Sequence, residues 1–265
     1  MPTELDLAID ATVDRLMAND GPLATAMVEK FGQQLPLLKH APGNLADYFA
    51  YFCAQNAEKE AVVDGDIRLT VGECYTTART LAGGLVEGHG LQPGDRVGIA
   101  ARNSASWIIA YMAILMAGGT ATLLNGWWQG GELADGIRMV GCRYVLADAQ
   151  RAARFQGHDL GDAQILLFDH DKHPLEGLSV LTELGGGAET PLPTIDPLDK
   201  ATILFTSGST GQSKGAWSDH RAVTQATMSY VGQTLVFFEL PSQREGGVSP
   251  LQPATLRNLP LFHVT

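Results

Sequence analysis

Between Gly94 and Phe168, short β-type runs alternate with helix-type runs through connectors of only a few residues. Gly94-Asp95 turns into a strand expected over Arg96 to Ala101, and Asn103-Ser104 opens a helix over Ala105 to Ala117. Gly118-Gly119 stops that helix before a strand over Thr120 to Leu124. A helix from about Glu132 to Val140 ends at Gly141, and strands follow over Tyr144 to Ala147 and Ile165 to Phe168. Parallel neighbours need a long crossover, usually a helix, so this rhythm admits little besides an α/β fold with a parallel-rich sheet flanked by helices.

The flanks read less strongly. Leu5, Ile9, Val13 and Leu16 recur at helical spacing, and Thr3 with Asp6 resembles a capping box, so residues 3 to 17 form an amphipathic helix. Gly21-Pro22 breaks it, and a second short helix is expected over Leu23 to Phe31. Asn44 can cap a third, over Leu45 to Ala54. Glu60 to Thr70 reads as a hairpin with its turn at Asp64-Gly65, and Thr70 with Glu73 caps a helix running through Leu81 and Leu85 to the Gly88/Gly90 stop. Residues 169 to 200, with three consecutive glycines and Pro191, Pro193 and Pro197, read as an exposed connector. Asp169, His170, Asp171 and His173 carry metal-ligand side chains, but no further cluster at suitable spacing accompanies them, so a solvated loop is the reading. Asp219-His220 opens a helix to about Phe237, and Pro241 to Gln252 reads as a mobile loop.

The formal net charge of −11 argues against nucleic acid or an anionic membrane as partner. Cys53, Cys74 and Cys142 lie far apart, without a CxxC pair, and read as reduced cysteines of a cytoplasmic protein. Four acidic residues precede the first cation, Arg15, unlike a secretory signal. The longest apolar helix candidate, Trp107 to Ala117, is too short to span a bilayer, so no transmembrane segment is expected.

One stretch stands out chemically. Ile203 to Phe205 reads as a buried strand that empties into Thr206-Ser207-Gly208-Ser209-Thr210-Gly211-Gln212-Ser213-Lys214-Gly215. Glycines let backbone N–H groups approach a ligand, while hydroxyls and a lysine add donors suited to phosphate oxygens. In an acidic protein an anion site must gather positive potential locally, which gives Lys214 weight. Counted from Gly208, the Walker pattern needs glycine at 213 and a hydroxyl at 215; the chain has Ser213 and Gly215. The dinucleotide fingerprint fails as well, because 208–211 supply only its second half.

Phe205 to Gly215 closely resembles the phosphate loop of the adenylate-forming superfamily, which includes acyl-CoA synthetases, luciferases and peptide-synthetase adenylation domains. The general form is aromatic-T-S-G-[ST]-T-G-x-P-K-G, and the one departure is Ser213 in place of proline. Leu259-Pro260-Leu261-Phe262-His263 resembles that superfamily's P-[LM]-F-H segment at the expected distance downstream, and this histidine favours the carboxylate–CoA ligases. The pattern of Trp107 to Ala117, Gly118-Gly119, Asn125 and Glu132-Leu133 is similar too, though less specific; Trp127-Trp128 is uncommon there. The resemblance covers about residues 45 to 265.

The resemblance implies an enzyme that spends ATP, with Mg²⁺, to form an acyl adenylate, then an acyl-CoA from coenzyme A, a fatty acid being the expected acid. It assigns Thr206, Ser207, Ser209, Thr210 and Lys214 to the β- and γ-phosphates and gives Gly208, Gly211 and Gly215 the task of permitting the loop's shape. His263 lines the junction of acyl pocket and CoA tunnel, acting by position. The implied fold is an incomplete version of the superfamily's large N-terminal domain. Residues 1–75 and 241–265 belong to one subdomain, 76–240 form the α/β subdomain, and the C-terminal lid is missing. The superfamily's adenine contacts, magnesium-binding glutamate and adenylating lysine all follow the histidine segment. These 265 residues are therefore expected to be the N-terminal portion of a longer ligase, inactive alone. A luciferase-like or other adenylating enzyme with a different acceptor, or a half-length binding protein without chemistry, are the alternatives.

Overall fold

The computed structural model describes residues 1–207, 213–240, 254–256 and 259–263. In chain order the elements are α1 (Glu4–Met17), β1 (Thr25–Lys30), β2 (Gln33–Leu38), α2 (Leu45–Gln55), β3 (Glu60–Asp64), β4 (Ile67–Thr70), α3 (Val71–Glu87), β5 (Arg96–Ala100), α4 (Ala105–Met116), β6 (Thr120–Leu123), α5 (Gly130–Val140), β7 (Tyr144–Asp148), α6 (Ala149–Ala152), β8 (Gln164–Phe168), α7 (Pro174–Gly177), β9 (Lys200–Ser207), β10 (Ser213–Asp219) and α8 (His220–Glu239). No helix among the described residues is long and apolar enough to cross a membrane. The chain divides into two compact units, Met1–Pro42 with Arg221–Arg257, and Gly43–His220 with Asn258–Thr265.

The larger unit is the α/β body that the alternating pattern implies. Its six-stranded sheet has the order β10-β9-β6-β5-β7-β8, parallel throughout except for β10, which runs antiparallel to β9. The chain passes from β5 to β6 on one side, then returns across β5 to β7 on the other. Right-handed crossovers of opposite direction place α4 and α5 on opposite faces. Val97 to Ala100 of β5 are buried, as a central parallel strand covered on both faces requires. Helix α4 packs against β5 and β6 and is in turn covered by α3 and α2, which is why it is apolar nearly all round. On the other face Leu133 and Ile137 of α5, both at 0% exposure, meet Ala100, Leu124, Val145 and Phe155. Each such side chain contributes about 1.5–3 kcal/mol on burial.

Local signals set the element ends. Thr3 accepts from Asp6 N–H and Thr70 from Glu73 N–H, both within reciprocal capping boxes; Asn44 and Ser104 cap α2 and α4. The β3–β4 loop is Gly65-Asp66, one residue later than expected, with only Gly65 at positive φ (60°), the pattern of a II′ turn.

Three readings are corrected. First, Leu23 to Phe31 is no helix: Thr25–Lys30 is a strand paired with Gln33–Leu38 across Phe31-Gly32. Both loop residues have positive φ, 53° and 73°, as the I′ turn that matches strand twist demands. Second, the connector is not simply exposed. Pro174 is buried, and Leu178 and Leu181 are at 0% exposure, in short helical turns laid on α3. Arg79 donates to Thr190 O (2.6 Å), and Thr190 Oγ1 donates to Glu87 (2.7 Å). Third, the stretch after β9 is no long loop. Ser213–Asp219 returns as strand β10, so only 208–212 lie between the two strands.

The smaller unit holds α1, the β1–β2 hairpin and α8 after His220. Arg15 pairs with Glu239 at 2.7 Å. The hairpin's pairs alternate between hydrogen-bonded and open, beginning hydrogen-bonded at Lys30–Gln33 beside the two-residue loop. Met27–Pro36 is therefore an open pair, so the ladder loses nothing to the proline's missing N–H. Leu38 N–H donates to Gln225 Oε1 (2.8 Å), and Leu38 O accepts from Gln225 Nε2 (3.1 Å).

Candidate functional site

Strand β9 is anchored at its start and free at its end. Thr120 Oγ1 donates to Lys200 O (2.9 Å), and Thr202 Oγ1 bonds with Tyr111 OH (2.9 Å). Burial pushes the Tyr111 phenol above its usual range, against the Thr202 hydrogen bond, so it stays a neutral structural partner. Leu123–Leu204 is the last pair with β6. Phe205, Thr206 and Ser207 run past it and pair only with β10.

That overhang sorts the residues by face. Phe205 pairs with Gly215, and Thr206 with Lys214. The first pair faces α5: Phe205 meets Trp128 edge-on (centroids 5.1 Å apart, 68°). A Cβ at Gly215 would lie 3.0 Å from Val140 Cγ1, so this glycine permits close packing within a strand rather than the bend of a loop. Alternation then puts Thr206 and Lys214 side by side on the other face, both exposed. Among the described residues no carboxylate pairs with Lys214, which leaves an uncompensated cation next to a hydroxyl donor. Such a pair fits an anionic oxygen. Ser207 pairs with Ser213 through the backbone. Gly208, Ser209, Thr210 and Gly211 lie outside the described residues, as does the reading of Pro241 to Gln252 as a loop.

Beside the hairpin lies a cleft of about 550 Å³ lined by Trp128, Glu132, Asp135, Arg138, Phe205 and Ser213, among others. Two aromatic rings and three charged side chains are among its lining.

His263 sits on a different support. It is exposed, and its N–H donates to Pro260 O (3.1 Å). Phe262, 8% exposed, meets Trp127 edge-on (5.4 Å, 89°). Trp127 follows β6, and β6 and β9 run parallel, so the hairpin end and the histidine segment share the carboxyl edge of the sheet. That edge is where α/β sheets hold ligands. The sequence reading named Trp127 and Trp128 without a role. One seats Phe262 and the other packs on Phe205; two adjacent aromatics between a strand and a helix were the available signal.

At the same edge Asp148, wholly buried, accepts from Arg102 N–H (3.0 Å), Arg151 N–H (2.9 Å) and Arg151 Nη1 (3.0 Å). His170, from the stretch with metal-type side chains, lies 3.8 Å from Asp148 and 3.5 Å from Asp171. Among the described residues no group of three His, Cys, Asp or Glu is arranged to hold a metal ion.

Comparison with known proteins extends this picture. A family model described as AMP-binding enzyme matches residues 49–265. A rice protein (Oryza sativa subsp. japonica) named 4-coumarate–CoA ligase-like 3 is 30% identical over 201 residues, which make up 71% of this chain and 32% of the relative. Malpinin synthetase of Mortierella alpina is 34% identical over 184 residues, 68% of this chain and 2% of its own. The chain thus spans about a third of the rice relative and a small part of the synthetase. A solved structure from Rhodopseudomonas palustris, assigned as a long-chain-fatty-acid–CoA ligase, superposes with a TM-score of 0.62 at 23% identity, over 73% of this chain and 48% of that one. That last likeness speaks to the fold alone: the sheet flanked by helices is the one found in these ligases.

Proposed function

Because the chain belongs to the AMP-binding enzyme family, we propose that it is the N-terminal part of an ATP-dependent carboxylate–CoA ligase. The observation that carries the reading is the Thr206–Lys214 pair: a cation with no acidic partner among the described residues, fixed beside a hydroxyl at the carboxyl edge of the sheet.

The chemistry joins two anions. A carboxylate oxygen forms a bond to the α-phosphorus of ATP as the bond to the bridging oxygen breaks and pyrophosphate leaves. The thiol sulfur of coenzyme A then bonds to the acyl carbon, AMP departs, and the thiol proton passes to solvent. The first step needs charge neutralisation and alignment more than a base. Lys214 supplies a point charge and Thr206 a hydroxyl donor to the β- and γ-phosphates, on strand backbone that holds both in register. Mg²⁺, brought in with the nucleotide, would add further neutralisation. His263 shapes the acyl–thiol junction by position.

The acceptor and the acid are finer parts of the proposal. CoA is supported by the Pro260–His263 segment and by the rice relative's name, and the fatty-acid choice rests on that segment alone. The synthetase relative favours a second reading, an adenylating enzyme with a non-CoA acceptor. The test uses the full-length protein. Lys214→Ala is expected to lower kcat/KM for ATP roughly 10- to 100-fold in ATP–pyrophosphate exchange, the worth of one charge-assisted hydrogen bond. Unchanged ATP kinetics would remove Lys214 from the site. Thioester formation with CoA, over acids of graded length and aromaticity, separates the two acceptors.

A further inference from the structure

The segment that carries His263 is gripped from both sides of Pro260 by a single side chain. Asn103, in the loop after β5, donates from Nδ2 to Leu259 O (2.7 Å) and accepts at Oδ1 from Leu261 N–H (2.8 Å). A neutral amide is the side chain that offers a donor and an acceptor a short distance apart on one plane; a carboxylate has no donor and a hydroxyl cannot span both groups. The orientation of the amide is fixed by the same two contacts, since the reverse would set like against like.

The grip stands on a braced base. Arg102 N–H, the neighbouring amide, is held by buried Asp148 (3.0 Å). The loop after β6 is held as well. Trp127 N–H donates to Asn125 Oδ1 (2.9 Å), and Arg154 Nη1 donates to Gly126 O (2.8 Å) and Trp128 O (2.9 Å). Phe262 drops between the two loops: a Cβ at Gly126 would lie 3.5 Å from its Cε1 and 3.2 Å from Ala101 O. Two rigid strand ends therefore fix Leu259, Leu261 and Phe262, and the next residue is His263.

We propose that Asn103 is a positioning residue for His263: its amide sets the backbone of 259–261 so that the imidazole is presented at the carboxyl edge of the sheet. This rests on the ligase reading, in which His263 lines the acyl–thiol junction. Asn103 touches no reacting atom and acts through the segment it holds. Loss of the grip is expected to slow thioester formation while leaving adenylation, which depends on the hairpin, unaffected.

The experiment has two readouts. Amide exchange in the 265-residue chain, followed by NMR, compares the wild type with Asn103→Ala and Asn103→Asp. Leu261 N–H is expected to exchange roughly five- to tenfold faster in Asn103→Ala, the effect of one lost hydrogen bond, while Ile99 and Leu146 in the sheet stay protected. Asn103→Asp keeps an acceptor for Leu261 and should leave that amide protected. In the full-length enzyme, Asn103→Ala should lower kcat for CoA thioester formation about tenfold or more, with pyrophosphate exchange and KM for ATP unchanged, and Asn103→Asp should fall between. Unaltered Leu261 exchange in Asn103→Ala overturns the grip. Faster exchange with both half-reactions unchanged, or with both slowed equally, overturns the positioning role. A wild-type enzyme that adenylates but makes no CoA thioester removes the ligase reading and the role with it, while the exchange data still decide whether the grip exists.

Discussion

Acidification should weaken this protein through His220. His220 opens α8 at 1% exposure, and its Nδ1 accepts the Leu45 N–H at 3.2 Å. Only a neutral imidazole can accept there. Burial lowers its pKa from the usual 6.5, with Asp199 and Asp219 opposing in part. The folded state therefore binds the proton more weakly than the unfolded state does. The sign follows: the contribution is fully present above about pH 6.5 and is lost as pH falls below the unfolded value toward the lowered folded one. The loss can grow no faster than about 1.4 kcal/mol per pH unit, and at pH 5.5 its ceiling is about 1.4 kcal/mol. Urea unfolding of the chain at pH 7.5, 6.5 and 5.5, followed by tryptophan fluorescence, measures it. Carboxylates titrate too, so the quantity to read is the difference from His220→Gln, whose amide oxygen can still accept but does not ionise. The wild type should lose up to about 1.4 kcal/mol more than the variant between pH 7.5 and 5.5. Parallel losses in the two proteins would show that the ring is not held neutral, and the argument would fall.

Two further outcomes are expected. Gly83→Ala should destabilise by about 1–3 kcal/mol, because its Cβ would lie 1.9 Å from the Gly187 carbonyl oxygen and overpacking outweighs the gain of up to about 1 kcal/mol from helix propensity. Gly131→Ala, whose nearest neighbour would be at 3.8 Å, should be neutral or stabilising; a Tm shift of the same sign in both would contradict the close approach. With a thiol reagent at pH 8, half-buried Cys53 should react first. Cys74 and Cys142, whose pKa burial pushes to about 12, should react only on unfolding. Three equal rates would refute this.

The parts of the fold that the sequence made legible are those whose burial leaves a periodic trace. Strands β5 to β8 and helices α3 to α5 were readable because each buries apolar residues in one core, and the three helices are bounded by a capping hydroxyl or a glycine. The β1–β2 hairpin was not, since its turn is Phe31-Gly32 rather than Asn-Gly, and Phe31 at positive φ is a residue that local rules do not place there. Strand β10 was hidden for another reason. Ser213, Lys214, Gly215 and Ala216 form an edge strand largely in contact with solvent, held by backbone pairing to β9, so nothing apolar marks it. The site suffered the same blindness. A lysine and a threonine eight positions apart read as members of one loop, and only antiparallel register makes them neighbours. Asn103 carried no signal, because its partners lie 156 and 158 residues away.

The small hairpin has a consequence for how copies of this molecule treat one another. The outward-facing groups of β2 belong to Gln34, Pro36 and Leu38, the members of its open pairs. Pro36 has no donor to offer, and both main-chain groups of Leu38 are taken by Gln225. An incoming strand from a second molecule would meet one competent position out of three. Free sheet edges recruit such strands, and short, proline-bearing or covered edges do not. Gln225 on α8 thus occupies edge groups that an incoming strand would use: Gln225→Ala should leave the hairpin's own ladder intact and raise the tendency to aggregate on concentration.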